Sequence, residues 1–470
     1  MTQPRYPLEP SAEQMRAMAR SATEALAGFV EGLDTAPSWD LDGVEALAAR
    51  FREAAPESGR EFDEVLASIV EASAKGIDSA APGFFGFIPG GGVFAASLAA
   101  YIAFAMNRFV NLWETAPVLA QIEATVLRWI SDMFEFPPET LGILTSGGSI
   151  ANLSAIVTAR SALLDEDFLD GTLYTSEHAH HSVQKAAMLA GFPVRNVRIV
   201  PCTPDLRIDV DVLHAMVDAD RREGFRPFCV IANAGTTNTG TVDPLVDLVQ
   251  IAHERRMWVH ADAAYGGFFQ LTERGRRKLR GLTGADSITL DPHKGLFLPY
   301  GTGALIVRDG ERLREAHRVG AHYMQDMHED TDVPNFMDYG PELSRDFRGL
   351  RVWLPVKLHG LGAFRDALDE KLDLSRYVYE RLRDEPGFEV PWEPDLTVVP
   401  FRYRFSSGDP DEGNRRLLEE INATRRVYLT STRIGGRFTL RVCVLSHRSH
   451  KDRVEELVGI ITRSARALDR

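Results

Sequence analysis

The chain has 470 residues, 44% hydrophobic and 26% charged, which is ordinary globular usage in a length that calls for two or three packed units. A formal net charge of −14 argues against nucleic acid as a main partner, because phosphate binding needs a basic face. Cys202, Cys229 and Cys443 show no metal-ligand spacing and leave one thiol over in any disulfide scheme, so a reducing, cytoplasmic setting is expected.

No basic flank followed by an apolar run opens the chain, so no secretory signal is expected. Ser11 with Gln14 forms a capping-box pattern, and Met15, Met18, Ala22, Leu26, Phe29 and Leu33 follow at helical spacing. This predicts an amphipathic helix that must dock on something. Residues 40 to 78 give two more helical patterns. From Gly83 to Met106 no residue is charged, a length that could cross a bilayer. Pro89 and the glycines at 90 to 92 would leave backbone groups unsatisfied in lipid. The run therefore reads as an extended piece and a short helix at a subunit interface, with no membrane partner. A further helix is predicted over Leu119–Phe134.

Between Gly142 and Arg308 short apolar runs alternate with helical patterns, as in a largely parallel sheet covered on both faces. The clearest unit is the strand 228–235, the helix 244–256 and the strand 257–263. Right-handed crossovers make such strands parallel, and ligands collect at their carboxyl ends. Thr236, Asp262 and Lys294 fall at or just past such ends. Beyond residue 365 the pattern changes to a small α+β unit. The division expected is 1–92, a helical dimerisation segment; 93–364, the large α/β domain; and 365–470, the small domain.

Three motifs carry chemistry. In "TSGGSIANLSAI" (145–156) a strand runs through Gly147, Gly148 and Ser149 into a helix start, which presents free N–H groups suited to a phosphate. The lysine of a P-loop and the spacing of a dinucleotide fingerprint are absent. In "HADAAYGG" (260–267) Asp262 ends an apolar strand, where a carboxylate needs a cationic partner. In "SITLDPHKGLF" (287–297) Lys294 sits in apolar surroundings, where desolvation or nearby positive charge would lower its pKa and make it an amine nucleophile for a carbonyl. Pyridoxal 5'-phosphate offers the complementary groups: an aldehyde, a phosphate and a ring nitrogen. His178, His180 and His181 have no carboxylate or cysteine cluster to complete a metal site, so no metal is expected. One of them is read instead as the flat, titratable wall of a pocket.

With these motifs in this order, the chain resembles the group II pyridoxal-phosphate-dependent amino-acid decarboxylases, which act on aromatic amino acids, tyrosine, histidine or glutamate. The likeness runs from "APGFFGFIP" near residue 81 to "TLRVCVLS" near residue 446. It implies fold type I: a mostly parallel seven-stranded sheet, an N-terminal helical segment and a small C-terminal α+β domain. By resemblance Lys294 forms the Schiff base, Asp262 pairs with the ring nitrogen and His180 stacks on the ring. Gly148, Ser149 and Asp291 hold the phosphate, Thr236 lies near the phenolic oxygen, and His293 lies near the phosphate and a mobile loop. Ala264 packs against the ring. The resemblance also implies a homodimer with its active site at the interface, and a pocket for the amino acid lined by Phe84, Phe85, Phe87 and Trp113.

The match breaks at three places. Registering "SRDFRGLRVW" on the family pattern puts Phe336 where decarboxylases carry a loop tyrosine that returns a proton, which phenylalanine cannot do. In plant relatives the same difference accompanies oxygen-dependent decarboxylation and deamination to an aldehyde. Alternatively Tyr339, His293 or His322 supplies the proton and the amine forms. Ala81 and Gly90 replace a histidine and a threonine. The favoured expectation is decarboxylation of an aromatic L-amino acid to the amine and CO2. Aldehyde formation is the alternative, and a non-catalytic cofactor-binding regulator the reading from another class.

Overall fold

The computed structural model describes residues 8–318 and 333–470. Its centre is a sheet of seven strands: β1 (Leu141–Thr145), β2 (Gly171–Ser176), β3 (Val197–Val200), β4 (Arg226–Asn233), β5 (Trp258–Asp262), β6 (Ser287–Leu290) and β7 (Gly303–Val307). The order across the sheet is β1-β7-β6-β5-β4-β2-β3. Neighbours pair in parallel from β6 to β3, whereas β7 is antiparallel to both β1 and β6. Six strands therefore send their carboxyl ends to one edge, and only β7 begins there. Nearly every side chain of the central strands is buried, which explains why they read as continuous apolar runs rather than alternating ones. Gly303, at the start of β7, permits close packing of the β1 turn: a Cβ there would stand 2.6 Å from Gly147 Cα.

The expected helices form close to their predicted limits, at Pro117–Met133 and Leu245–Glu254. The opening helix, Ala12–Gly32, carries the predicted capping box, with Gln14 N–H donating to Ser11 Oγ and Ser11 N–H to Gln14 Oε1. Met15, Met18, Leu26 and Phe29 on that helix remain exposed, so its apolar face is not covered by the described residues. The uncharged stretch divides as expected: an extended passage, then the helix Phe94–Met106. Among the described residues no helix is long and apolar enough to cross a membrane.

A second sheet of four antiparallel strands forms at Phe388–Glu389, Val398–Tyr403, Thr430–Ile434 and Arg437–Cys443. It packs its own core with helices Pro410–Ala423 and Lys451–Leu468. Two of its strands, Phe388–Glu389 and Thr430–Ile434, were not expected. Helix Gly349–Arg383 runs through the expected boundary at 364/365, broken only at Gly360, where φ is +72°.

Candidate active site

At the shared edge a cavity of about 350 Å³ opens. It is lined by Gly148, Ser149, His180, Thr236, Asp262, Ala264, Asp291, His293 and Lys294, every residue predicted from the cofactor motifs. Parallel register brings them together: Asn233 is opposite Asp262, Asp262 is opposite Thr289, and Asp291 and Lys294 follow two and five residues after that threonine.

Lys294 sits in a short turn of helix, Pro292–Gly295, and its Nζ lies 2.9 Å from Asp291 Oδ2. Burial pulls the ammonium's pKa down, but the charge and hydrogen bond of Asp291, helped by Asp262, outweigh it and leave the pKa raised. This reverses the expectation of a lowered value, because the lysine has a carboxylate partner that sequence spacing alone did not weigh. The other oxygen, Asp291 Oδ1, is buried without a hydrogen-bond partner among the described residues, a costly condition that a ligand donor would relieve. His293 Nδ1 bonds the Thr302 carbonyl at 2.7 Å, which leaves Nε2 turned to Asp291 Oδ2 at 3.5 Å.

Asp262 is held from both sides. Its Oδ1 accepts from Ala264 N–H at 3.2 Å and its Oδ2 from Asn152 Nδ2 at 3.0 Å. Because a carboxylate only accepts, Asn152 must turn its amide nitrogen to Asp262 and its Oδ1 to His260 Nε2, 3.0 Å away. His260 Nε2 therefore carries the proton, and Nδ1 accepts from Ser287 Oγ at 2.8 Å, which in turn accepts from Trp258 Nε1 at 2.8 Å. The whole chain donates toward Asp262. Burial depresses the His260 pKa to about 4, so the ring is neutral at pH 7, as this relay requires. Asn152, His260 and Ser287 are functional residues that the sequence reading missed. Asn152 lies inside the quoted glycine-turn motif, one turn into the helix after Gly148, and that placement was the available signal.

His180 ends the turn after β2 and caps helix His181–Leu189, its Nδ1 2.8 Å from Ser182 Oγ. Burial, with His181 and Lys294 acting in the same direction, lowers its pKa against the pull of Asp262 and Asp291. The imidazole is therefore a neutral, flat wall. The phosphate-type cradle is present as well: helix Gly148–Leu163 starts at the cavity, and Ser149 and Ser146 are exposed there. A phosphate at the helix start, a cation beside Asp262 and a carbonyl at Lys294 match this donor set.

Other expectations need correction. Phe336 and Tyr339 lie outside the cavity lining. They are 1% and 3% exposed, packed edge-to-face at 5.8 Å, with Arg345 over the Phe336 ring at 5.2 Å. A short 3-10 turn, Phe336–Asp338, folds them into the core against β1, where Ile143 meets Gly340. Neither ring lines the cavity of its own chain. His322 lies outside the described residues. Phe84 and Phe85 are also core residues: Phe84 stacks on Tyr428 at 6.0 Å, and Phe85 joins the small-sheet core through backbone pairing with Tyr428 and Cys443. Trp113 is half-buried, its N–H on Asn335, and Phe87 is 57% exposed; neither lines the cavity. Gly90 has its own reason to lack a side chain, since a Cβ there would stand 2.0 Å from the His293 carbonyl oxygen.

The parallel sheet with one antiparallel strand, and a lysine, an aspartate and a glycine turn at its carboxyl edge, define a fold type I pyridoxal-phosphate enzyme. The model of the pyridoxal-dependent decarboxylase conserved domain matches residues 45–404. An aromatic-L-amino-acid decarboxylase of Bacillus atrophaeus is 34% identical over 462 residues, covering 97% of this chain and 95% of that protein. The crystal structure of Oryza sativa TDC with PLP and tryptamine superposes with a TM-score of 0.94 at 27% identity, covering all of both chains. The Rhodiola rosea 4-hydroxyphenylacetaldehyde synthase structure, 22% identical with a TM-score of 0.90 over 98% of this chain and 99% of that one, shares the fold. The chain belongs to the pyridoxal-dependent decarboxylase family, and it is a pyridoxal-phosphate-dependent carboxy-lyase acting on amino acids.

Proposed function

We propose that the chain decarboxylates an aromatic L-amino acid to the amine and CO2, with Lys294 as the amine that holds the cofactor covalently. The observation that carries this reading is the convergence of Lys294, Asp262 and the Gly148 helix start on one cavity that also contains the unpartnered Asp291 Oδ1. Relatives named for aromatic amino acids support the substrate class.

Bound pyridoxal phosphate supplies an electron-withdrawing ring conjugated to the amino acid's α-carbon. The chain's residues do the rest. Asp262, which accepts from the Ala264 N–H and the Asn152 amide, would pair with the ring nitrogen and favour its protonated form. The helix start at Gly148, with Ser149, would take the phosphate; Thr236 would lie near the phenolic oxygen; Ala264 would leave room for the ring, and neutral His180 would cover it. His293 lines the cavity with its Nδ1 on the Thr302 carbonyl, so its Nε2 is one candidate to return the proton.

We further infer that the working form is a homodimer. Helix Phe94–Met106 exposes Phe94, Leu98, Tyr101, Phe104 and Met106, and the opening helix exposes a parallel set. Such apolar area on one chain is what an obligate interface covers. Exposed Phe87 is then available to a site completed by the partner.

The test is CO2 release from a panel of L-amino acids, with products analysed with and without oxygen. Aromatic substrates should give CO2 and amine in both conditions. Cofactor absorbance without CO2 from any substrate would leave only a binding protein, and equimolar hydrogen peroxide and ammonia would establish the aldehyde route.

A further inference from the structure

The three neighbouring histidines lacked a carboxylate and a cysteine in sequence, but the fold supplies both to one of them. Because β2 and β3 run parallel, Ser176 lies opposite Val200, and the pairing continues as Glu177 N–H donates to the Val200 carbonyl. Two residues beyond, Cys202 N–H donates to Glu177 Oε1 at 2.9 Å. One ligand atom each of Glu177, His178 and Cys202 then lies within 4.8 Å of the others. His178 is 7% exposed and has no hydrogen-bond partner among the described residues. A buried imidazole without a partner is expensive, and a metal ion relieves it.

We propose that Glu177, His178 and Cys202 form a binding site for a thiophilic divalent cation of the Zn²⁺ class, whose occupancy holds the turn leading into His180. A thiol, an imidazole and a carboxylate form a ligand set that selects zinc over magnesium or calcium. Bonds of about 2.0–2.3 Å place tetrahedral ligands about 3.5 Å apart, a separation that small side-chain rotations reach from here. Glu177 is exposed, which gives an entry path and an open fourth position for water. Binding releases the Cys202 thiol proton to solvent, so thiolate and carboxylate together neutralise the ion. Cys202 also bonds Ser176, which accepts from Asn233, a cavity residue, so the site borders the cofactor pocket without sharing a ligand with it.

His180 follows His178 by two residues, so drawing the turn toward a metal displaces the wall of the cavity. The regulatory half of the proposal rests on His180 covering the cofactor; the binding half does not. The experiment is equilibrium dialysis of the holoenzyme against Zn²⁺ alone, with metal content per chain measured for wild type, Cys202→Ser and His178→Gln. Cofactor absorbance checks that each variant is folded and loaded. One Zn²⁺ per chain is expected in wild type. Binding should weaken at least roughly tenfold in both variants, since losing a ligand costs no less than losing an outer-shell partner. Zn²⁺ should also slow CO2 release in wild type and not in Cys202→Ser. No bound zinc, or equal binding in all three proteins, overturns the site. Binding without slowing, in an enzyme that releases CO2, overturns only the regulation.

Discussion

Replacing Asn152 with alanine isolates the relay behind Asp262. The substitution removes the only side-chain donor to Asp262 Oδ2 among the described residues, at 3.0 Å, and the acceptor for His260 Nε2, also at 3.0 Å. A hydrogen bond to a buried charged group contributes about 1.5–3 kcal/mol. If Asp262 acts as an ionised partner of the cofactor's ring nitrogen, that loss falls on the transition state. It then lowers kcat/KM by about 13- to 160-fold, at about 1.4 kcal/mol per factor of ten. The assay is steady-state CO2 release under saturating cofactor, with absorbance confirming occupancy, and the fall should be in kcat more than in KM. Asn152→Gln should recover part of the rate, because it keeps an amide. Full activity in Asn152→Ala with cofactor bound would refute the view that the relay positions Asp262 for catalysis.

Three other outcomes are expected. Gly90→Ala should destabilise the chain by about 1–3 kcal/mol in chemical denaturation and weaken cofactor binding, because the new Cβ collides with the carbonyl oxygen of His293, the residue before Lys294. Phe336→Tyr should leave the amine as the product while lowering stability by about 1–3 kcal/mol, the cost of a buried hydroxyl; a change in product ratio would return this residue to the catalytic loop. Burial, helped by Arg448, depresses His447 to about 4 from its ordinary 6.5. The unfolded chain therefore binds this proton first as pH falls, and stability is lost from pH 6.5 down to about 4. A fall from 6.5 to about 4, at about 1.4 kcal/mol for each pH unit, makes the full loss about 3–4 kcal/mol. His447→Gln should flatten urea midpoints over that window by this amount.

The cofactor residues were legible because each ends a strand of one parallel sheet, and the crossover rule sends such ends to one edge. Lys294, Asp262 and Gly148 could thus be gathered without knowing strand order. The amide of Asn152 could not, since helical phase decides whether it faces Asp262. Cys202 was illegible for a different reason: it is far from His178 in sequence, and only the adjacency of β2 and β3 joins them. The burial of Phe336 was not legible, because a register borrowed from a family pattern does not show that the local sequence forms a turn that buries the ring. Phe84 and Phe85 misled in the same way, since aromatic residues suit a small-sheet core as well as a substrate pocket.

The glycine at 90 joins two events that are usually measured separately. On one side its backbone abuts the carbonyl before the lysine; on the other, four residues on, begins the helix whose apolar face the chain leaves bare. If the chain associates through that face, association and cofactor retention become linked equilibria that share one hinge. Dilution would loosen the cofactor, added cofactor would oppose dissociation, and the melting temperature would rise with protein concentration.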